Sequence, residues 1–236
     1  MAIIQKQSMS AQVIDHILGQ IESGELKPGD KLLNERDFAE QLGISRVPLR
    51  EAMCALTALG ILTTRQGDGT FVNHFNEGML GRILYIYTIL DEISSGDLME
   101  LRVALEAGTA AAAAERRTDE DLAAIQKEKN RFIEKYEEIK AGGNDFKGLL
   151  EADHSFHNTI GVAAKNKLYR EFLDAVRIPF SRIELSEDRE TTLKNFGRSL
   201  ENHNRIVDAI EKQEKMKAYQ AMEEHIKEVS IQAAKE

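Results

Sequence analysis

Three histidines and one aspartate have the types and spacing to hold a metal ion. The stretch ADHSFHNTIG (152–161) places Asp153 and His157 four residues apart, which on a helix puts both on one face about one turn apart. His203 follows in LENHNRIVDAI and His225 in AMEEHIKEV. If the chain from 195 onward were one straight helix, the 22 residues between these two would span about 33 Å and they could share no ligand. If instead it reverses in the polar EKQEKMK near Gln213, the two lie about 15 and 18 Å from the turn on antiparallel helices, at the same height. One carboxylate and three imidazoles on three helices would then form a cage for a divalent transition metal. Zinc suits it first, nickel or a similar ion next, with positions open for water or a ligand. The other reading is four ordinary polar side chains, and His154, about 100° round the helix from the pair, takes that reading.

A cage on three helices needs a helical domain, and the C-terminal two thirds supplies one. MLGRILYIYTILDEI (79–93) is a strongly apolar helix. DLMELRVALEAGTAAAAAERR (97–117) is another, with Leu98, Leu101, Leu105 and the alanine run as its packing face. Thr118 opens a third that ends near AGGN, its Lys127, Lys129, Arg131, Lys135, Glu137 and Glu138 forming a solvated face. No strand-like run and no internal repeat appears, so the domain is all-α, with six or seven helices.

A second cluster of chemistry lies near the N-terminus. GISRVPLREA (43–52) packs a proline and two arginines into the start of a helix. Proline is tolerated only in a first turn, so the helix begins at Arg46 with Ser45 as N-cap. Before it, SAQVIDHILGQIES carries a stripe of Val13, Ile14, Ile17, Leu18 and Ile21, and NERDFAEQLG is a second helix capped by Asn34. The third helix buries Leu49, Met53, Leu56 and Leu59 and stops at Gly60. ILTTRQGDGTFV then alternates around GDG as a hairpin. Three short helices and a hairpin make a winged helix-turn-helix, whose second helix of the turn pair enters the major groove by its N-terminal residues. Here these are Arg46, Val47, Leu49 and Arg50, with Ser45 at the N-cap also placed at the DNA, and the arginine fork matches guanine O6 and N7. Arg36 can reach a phosphate or the groove edge, and Gly67 and Gly69 keep the wing tip free of side-chain bulk. The alternative is a small helical domain with solvated arginines. Cys54 is expected to be a small buried residue, and His16 and His74 surface or packing residues.

Composition bounds these readings. The chain has 236 residues, 42% of them hydrophobic, a single cysteine and a net charge of −9. Residues 1–75 carry −2 and the remainder −7, so DNA binding must rest on the placement of a few arginines and not on a basic domain. No apolar run spans a membrane, no secretory pattern opens the chain, and one cysteine fits a reducing cytoplasm. The expected organisation is mainly α, with a winged helix-turn-helix over 1–73, a linker at 74–78 and an all-helical domain over 79–236.

SGELKPGDKLLNERDFAEQLGISRVPLREAMCALTALGILTTRQGDGTFV resembles the winged-helix domain of the GntR family of bacterial transcription regulators, through the P-G turn, the E-R pair, S-R-x-P-x-R-E-A and the G-x-G wing. The resemblance implies that Arg36, Arg46 and Arg50 contact DNA and that the wing around Gly67 touches the minor groove. Val47 departs from the family's usual threonine, which removes a hydroxyl from the reading helix. Residues 79–230 look like the FCD domain, the ligand-sensing domain of the FadR-type branch. Its D-x-x-x-H…H…H pattern is filled by Asp153, His157, His203 and His225, and ELRVALE and AAKN also match. This implies a metal that helps hold a small carboxylate effector, with Arg102 facing the cavity as the carboxylate's bidentate partner. A structural salt bridge from Arg102 to Glu106 is the alternative.

Two functions follow. One is a regulator, expected to be a cytoplasmic repressor, that binds a palindromic double-stranded DNA operator as a homodimer and responds to a small organic acid. The other is a metal-dependent hydrolase with an accessory N-terminal domain. Against the hydrolase, the sequence has no H-E-x-x-H and no spare acid at a telling spacing apart from Glu151.

Overall fold

The computed structural model describes residues 7–74, 78–90, 92–177 and 189–233. The chain divides into two compact units, Met1–Met79 and Leu80–Glu236. The linker expected at 74–78 falls mostly on 75–77, outside the described residues.

The first unit is a winged helix-turn-helix. It contains α1 (Met9–Glu22), α2 (Glu35–Leu42), α3 (Arg46–Ala58) and an antiparallel hairpin of β1 (Leu62–Arg65) and β2 (Gly69–Val72), paired from Leu62 opposite Val72 to Arg65 opposite Gly69. The Asn34 side chain accepts from the backbone N–H of Arg36 and Asp37, which fixes the start of α2. Its core joins Val13 and Ile17 of α1, Phe38 and Ala39 of α2, Leu49, Ala52, Met53 and Leu56 of α3, and Leu62 and Val72 of the hairpin.

Three residues expected inside this core lie outside it. Leu18 and Leu59 are exposed, Leu59 because it sits at the C-cap of α3, where the chain leaves the packed face. Cys54 is exposed as well. It follows Arg46 and Arg50 at steps of four along α3, so helical periodicity carries it onto the same outer face.

The second unit holds seven helices among the described residues: α4 (Met79–Ile89), α5 (Ser95–Arg116), α6 (Asp119–Lys140), α7 (Phe146–Ala163), α8 (Lys167–Arg177), α9 (Arg189–Glu211) and α10 (Lys215–Ala233). Capping boxes open α5 and α6, Ser94 with Asp97 and Thr118 with Asp121. Helix α5 is the central one and packs against α7, α8, α9 and α10. Its inner stripe is Ala107 and Ala110–Ala114, all buried, and these small side chains let neighbouring helices approach closely. Leu101, expected on that face, is exposed, while Arg102 and Glu106 turn inward in its place. The chain reverses between α9 and α10 with Gln213 in the left-handed region, so the two helices run antiparallel as the polar EKQEKMK run allowed, and they pack together.

Candidate metal centre and nucleic-acid interface

The α9–α10 reversal brings His203 and His225 to one level of the bundle, and α7 adds His157 and Asp153 from a single face. His157, His203 and His225 are all buried, and one nitrogen from each lies within 4.8 Å of the others. His157 Nε2 and His225 Nε2 are 3.2 Å apart. Asp153 Oδ1 lies 3.3 Å from His203 Nε2 and its Oδ2 3.9 Å from His157 Nε2. His154, on the same helix, is not part of this group.

Glu106 of α5 stands behind His157. Its Oε2 lies 2.5 Å from His157 Nδ1, off the direction of a full hydrogen bond, and its Oε1 accepts from Arg102 Nε at 2.8 Å. A negative oxygen beside Nδ1 favours a proton on that nitrogen and leaves Nε2 to present its lone pair toward His225. All three side chains of this chain of contacts are at most 2% exposed. Phe156 and Phe132 flank His203, with ring centroids 4.1 and 4.8 Å from it.

The donor set fits a divalent transition metal. Three imidazole nitrogens and a carboxylate converge in a buried site, with phenylalanines on one side and the Arg102–Glu106 pair on the other. Asp153 Oδ1 and the facing His203 Nε2 are both buried and form no hydrogen bond with each other, a costly arrangement that a bound cation would relieve. Asp153, His157, His203 and His225 could each supply one ligand atom.

In the first unit, the N-terminal turns of α3 present Arg46, Val47 and Arg50 on an exposed face. Val47 is 65% exposed, and an open groove of about 580 Å³ runs past Arg46, Val47, Arg50, Glu51 and Cys54. Ser45 occupies the N-cap position without a side-chain capping bond. Arg50 donates to Glu35 through Nη2 at 2.6 Å, and Arg46 Nη2 lies 3.5 Å from the same carboxylate. The hydrogen bonds from Arg50 hold the Glu35 carboxyl below its ordinary pKa, and Glu35 in turn raises that of Arg50. Arg36 is exposed, with Nε 3.2 Å from Asp37 Oδ1. At the wing, Gly67 and Gly69 flank Asp68, whose carboxylate meets Lys31 Nζ at 3.3 Å and Arg65 Nη1 at 4.0 Å. Arg65 also stacks over Phe71, 4.6 Å from the ring centroid.

Comparison with known proteins identifies both units. The pattern of bacterial regulatory proteins of the gntR family matches residues 9–72, and that of the FCD domain matches residues 97–228. LutR, an HTH-type transcriptional regulator of Bacillus subtilis, is 33% identical over 217 residues, covering 89% of this chain and 94% of LutR. The putative L-lactate dehydrogenase operon regulatory protein of Escherichia coli is 31% identical, over 88% of this chain and 80% of its own length. Among solved structures, Streptococcus agalactiae GntR is 30% identical and superposes with a TM-score of 0.65, covering 95% of this chain and all of that one. The chain belongs to the GntR family. It is a DNA-binding transcriptional regulator of the GntR type with an FCD domain.

The four clustered side chains all fall within the FCD segment, and Arg36, Arg46, Arg50, Gly67 and Gly69 all fall within the gntR segment. Two acidic residues that sequence reasoning left out of the sites are prominent in them. Glu106 appeared only as an alternative partner for Arg102, because its contact with His157 joins residues 51 apart. Glu35 appeared only as the acid of the E-R pair, and its contact with Arg50 joins residues 15 apart on two different helices.

Proposed function

We propose that the chain is a metabolite-responsive repressor whose operator affinity is set by a small carboxylate bound at a metal in the FCD domain. The observation that carries this reading is the buried convergence of His157, His203 and His225 with Asp153. These four side chains would hold the ion, zinc first by donor type, and the ion would supply Lewis-acid coordination of a carboxylate oxygen. Arg102 stands one carboxylate away from His157. Its role is to hold the effector's carboxylate by exchanging partners within this ion network. The Escherichia coli relative is named for an L-lactate dehydrogenase operon, which makes 2-hydroxy acids the first class to test.

On DNA, Arg46 and Arg50 read base edges in the major groove, Val47 offers methyl contacts, Arg36 and Ser45 hold phosphates, and the wing at Gly67 and Gly69 meets the minor groove. The protein acts as a cytoplasmic homodimer on a palindromic site. Ile86 and Ile89 on α4, and Leu90 just after it, remain exposed, which suits a surface shared between subunits. No described helix is long and apolar enough to cross a membrane. The relatives named above are transcriptional regulators, which favours this reading over a metal-dependent hydrolase.

The test is operator binding with and without ligand. An operator duplex is selected by the protein from a randomised library. The metal-loaded protein is then titrated against it in the presence of L-lactate, glycolate and other short carboxylates. The reading expects one of them to weaken binding by about tenfold or more, in line with allosteric couplings of about 1–3 kcal/mol, and chelation to abolish that effect. Unchanged binding with every carboxylate would refute it.

A further inference from the structure

Arg50 is gripped from one side. Its Nε donates to Glu35 Oε2 at 3.1 Å and Oε1 at 3.3 Å, and its Nη2 donates to Oε2 at 2.6 Å. Nη1 makes no hydrogen bond among the described residues. The guanidinium is planar, so a carboxylate on the Nε–Nη2 edge leaves the Nη1–Nη2 end presented as a second pair of donors. A guanine accepts two parallel N–H donors through O6 and N7. The carboxylate and a base can therefore be held at once, one on each edge.

Glu35 is well placed for this grip. It stands in the first turn of α2, where the helix N-terminus favours negative charge, and it reaches across the helix-turn-helix to α3. Its pKa is lowered chiefly by the bond from Arg50, so it stays ionised at neutral pH. The same oxygen lies 3.5 Å from Arg46 Nη2, so one carboxylate serves both arginines of the reading helix.

We propose that Glu35 is a specificity-determining residue of the DNA interface. It fixes Arg50 with its end toward a base, and it offsets charge that Arg46 and Arg50 would otherwise offer to phosphates at any sequence. Phosphate contacts drive binding to all DNA alike, whereas base contacts distinguish sequences. A carboxylate that limits the first and orders the second raises the ratio of specific to non-specific affinity. The proposal rests on the assignment of Arg46 and Arg50 as base readers.

The experiment compares the full-length wild type, Glu35→Gln and Glu35→Asp on two probes across a range of salt concentrations. One probe is a duplex selected in vitro by the wild type from a randomised library; the other is a scrambled duplex of the same composition. Glu35→Gln is expected to bind the scrambled duplex about 3–10-fold more tightly, with a salt slope steeper by about one, as one added phosphate contact predicts. Its discrimination between the probes should fall by about tenfold, the size of one lost base contact. Glu35→Asp keeps the charge but shortens the reach, so it should hold scrambled binding near the wild-type value while losing discrimination. Equal changes on both probes, or no change on either, would overturn the proposal, since a purely structural role moves both together. Failure of the wild type to select any sequence would remove the base-reading assignment itself, and the proposal with it.

Discussion

Glu106 Oε2 lies 2.5 Å from His157 Nδ1, and the other oxygen of the same carboxylate is bonded to Arg102. A carboxylate in this position favours a proton on Nδ1 and leaves Nε2 free to face the other imidazoles. Glu106→Gln should therefore weaken metal retention by about 10–100-fold, as loss of an outer-shell carboxylate does elsewhere. It also removes the charge from the buried Glu106–Arg102 pair, and breaking a buried pair costs about 3–5 kcal/mol. Metal titration at a temperature well below unfolding separates the two effects, and a thermal melt reports the second.

The wing makes a different demand. Gly69 has φ +119°, and a Cβ there would lie 2.9 Å from Lys31 Cε. Gly67 has φ +77° with open space around it. Gly67→Ala should cost about 1–2 kcal/mol from backbone strain alone. Gly69→Ala should cost more, because φ +119° is still less open to alanine, and the flexible end of Lys31 must move away from Asp68. Chemical unfolding of the two variants checks the order, and a loss at Gly69 no larger than that at Gly67 would contradict it.

Arg50→Ala tests the reading helix. It should weaken binding to the selected duplex by about 1–3 kcal/mol and relax preference at one base position. The side chain lies outside the core, so the melting temperature should stay near the wild-type value. A large fall in melting temperature would recast Arg50 as a structural partner of Glu35.

The capping boxes predict acid sensitivity. Asp97 has its pKa lowered chiefly by the Ser94 hydroxyl, with help from the Ser94 backbone N–H. In Asp121 burial acts to raise the value but is outweighed by Lys165 and by Thr118. Because the folded values are depressed, the native state binds fewer protons than the unfolded chain near pH 4, and each group adds stability above the ordinary carboxylate pKa of about 3.9. That contribution is lost as pH falls through the depressed values. The stability difference between wild type and Asp121→Asn should hold constant from neutral pH to about 5 and narrow below about 4. Melting curves across that range measure it.

Much of this was legible in the chain itself. Pro48 fixed where α3 starts, and the polar run around Gln213 marked the reversal that puts His203 and His225 at one height. Asp153 and His157 needed only helical spacing. Contacts between elements were less accessible. Glu106 reaches His157 across the α5–α7 packing, and Glu35 reaches Arg50 across the helix-turn-helix. No local pattern encodes either pair. The misplacement of Cys54 has a simpler origin. Cysteine's general preference for the interior outweighed the four-residue steps from Arg46 and Arg50, which assign it to the outer face. Leu101 failed in the same way, since a polar pair, Arg102 and Glu106, took the inward positions that leucines were expected to fill.

The central claim is the metal centre, and the most direct measurement is the metal content of protein purified without added metal or chelator, for wild type and His203→Ala. The account predicts about one transition-metal ion per wild-type chain and its loss in a His203→Ala protein that remains folded. The absence of metal from both proteins, or equal content in both, would contradict it.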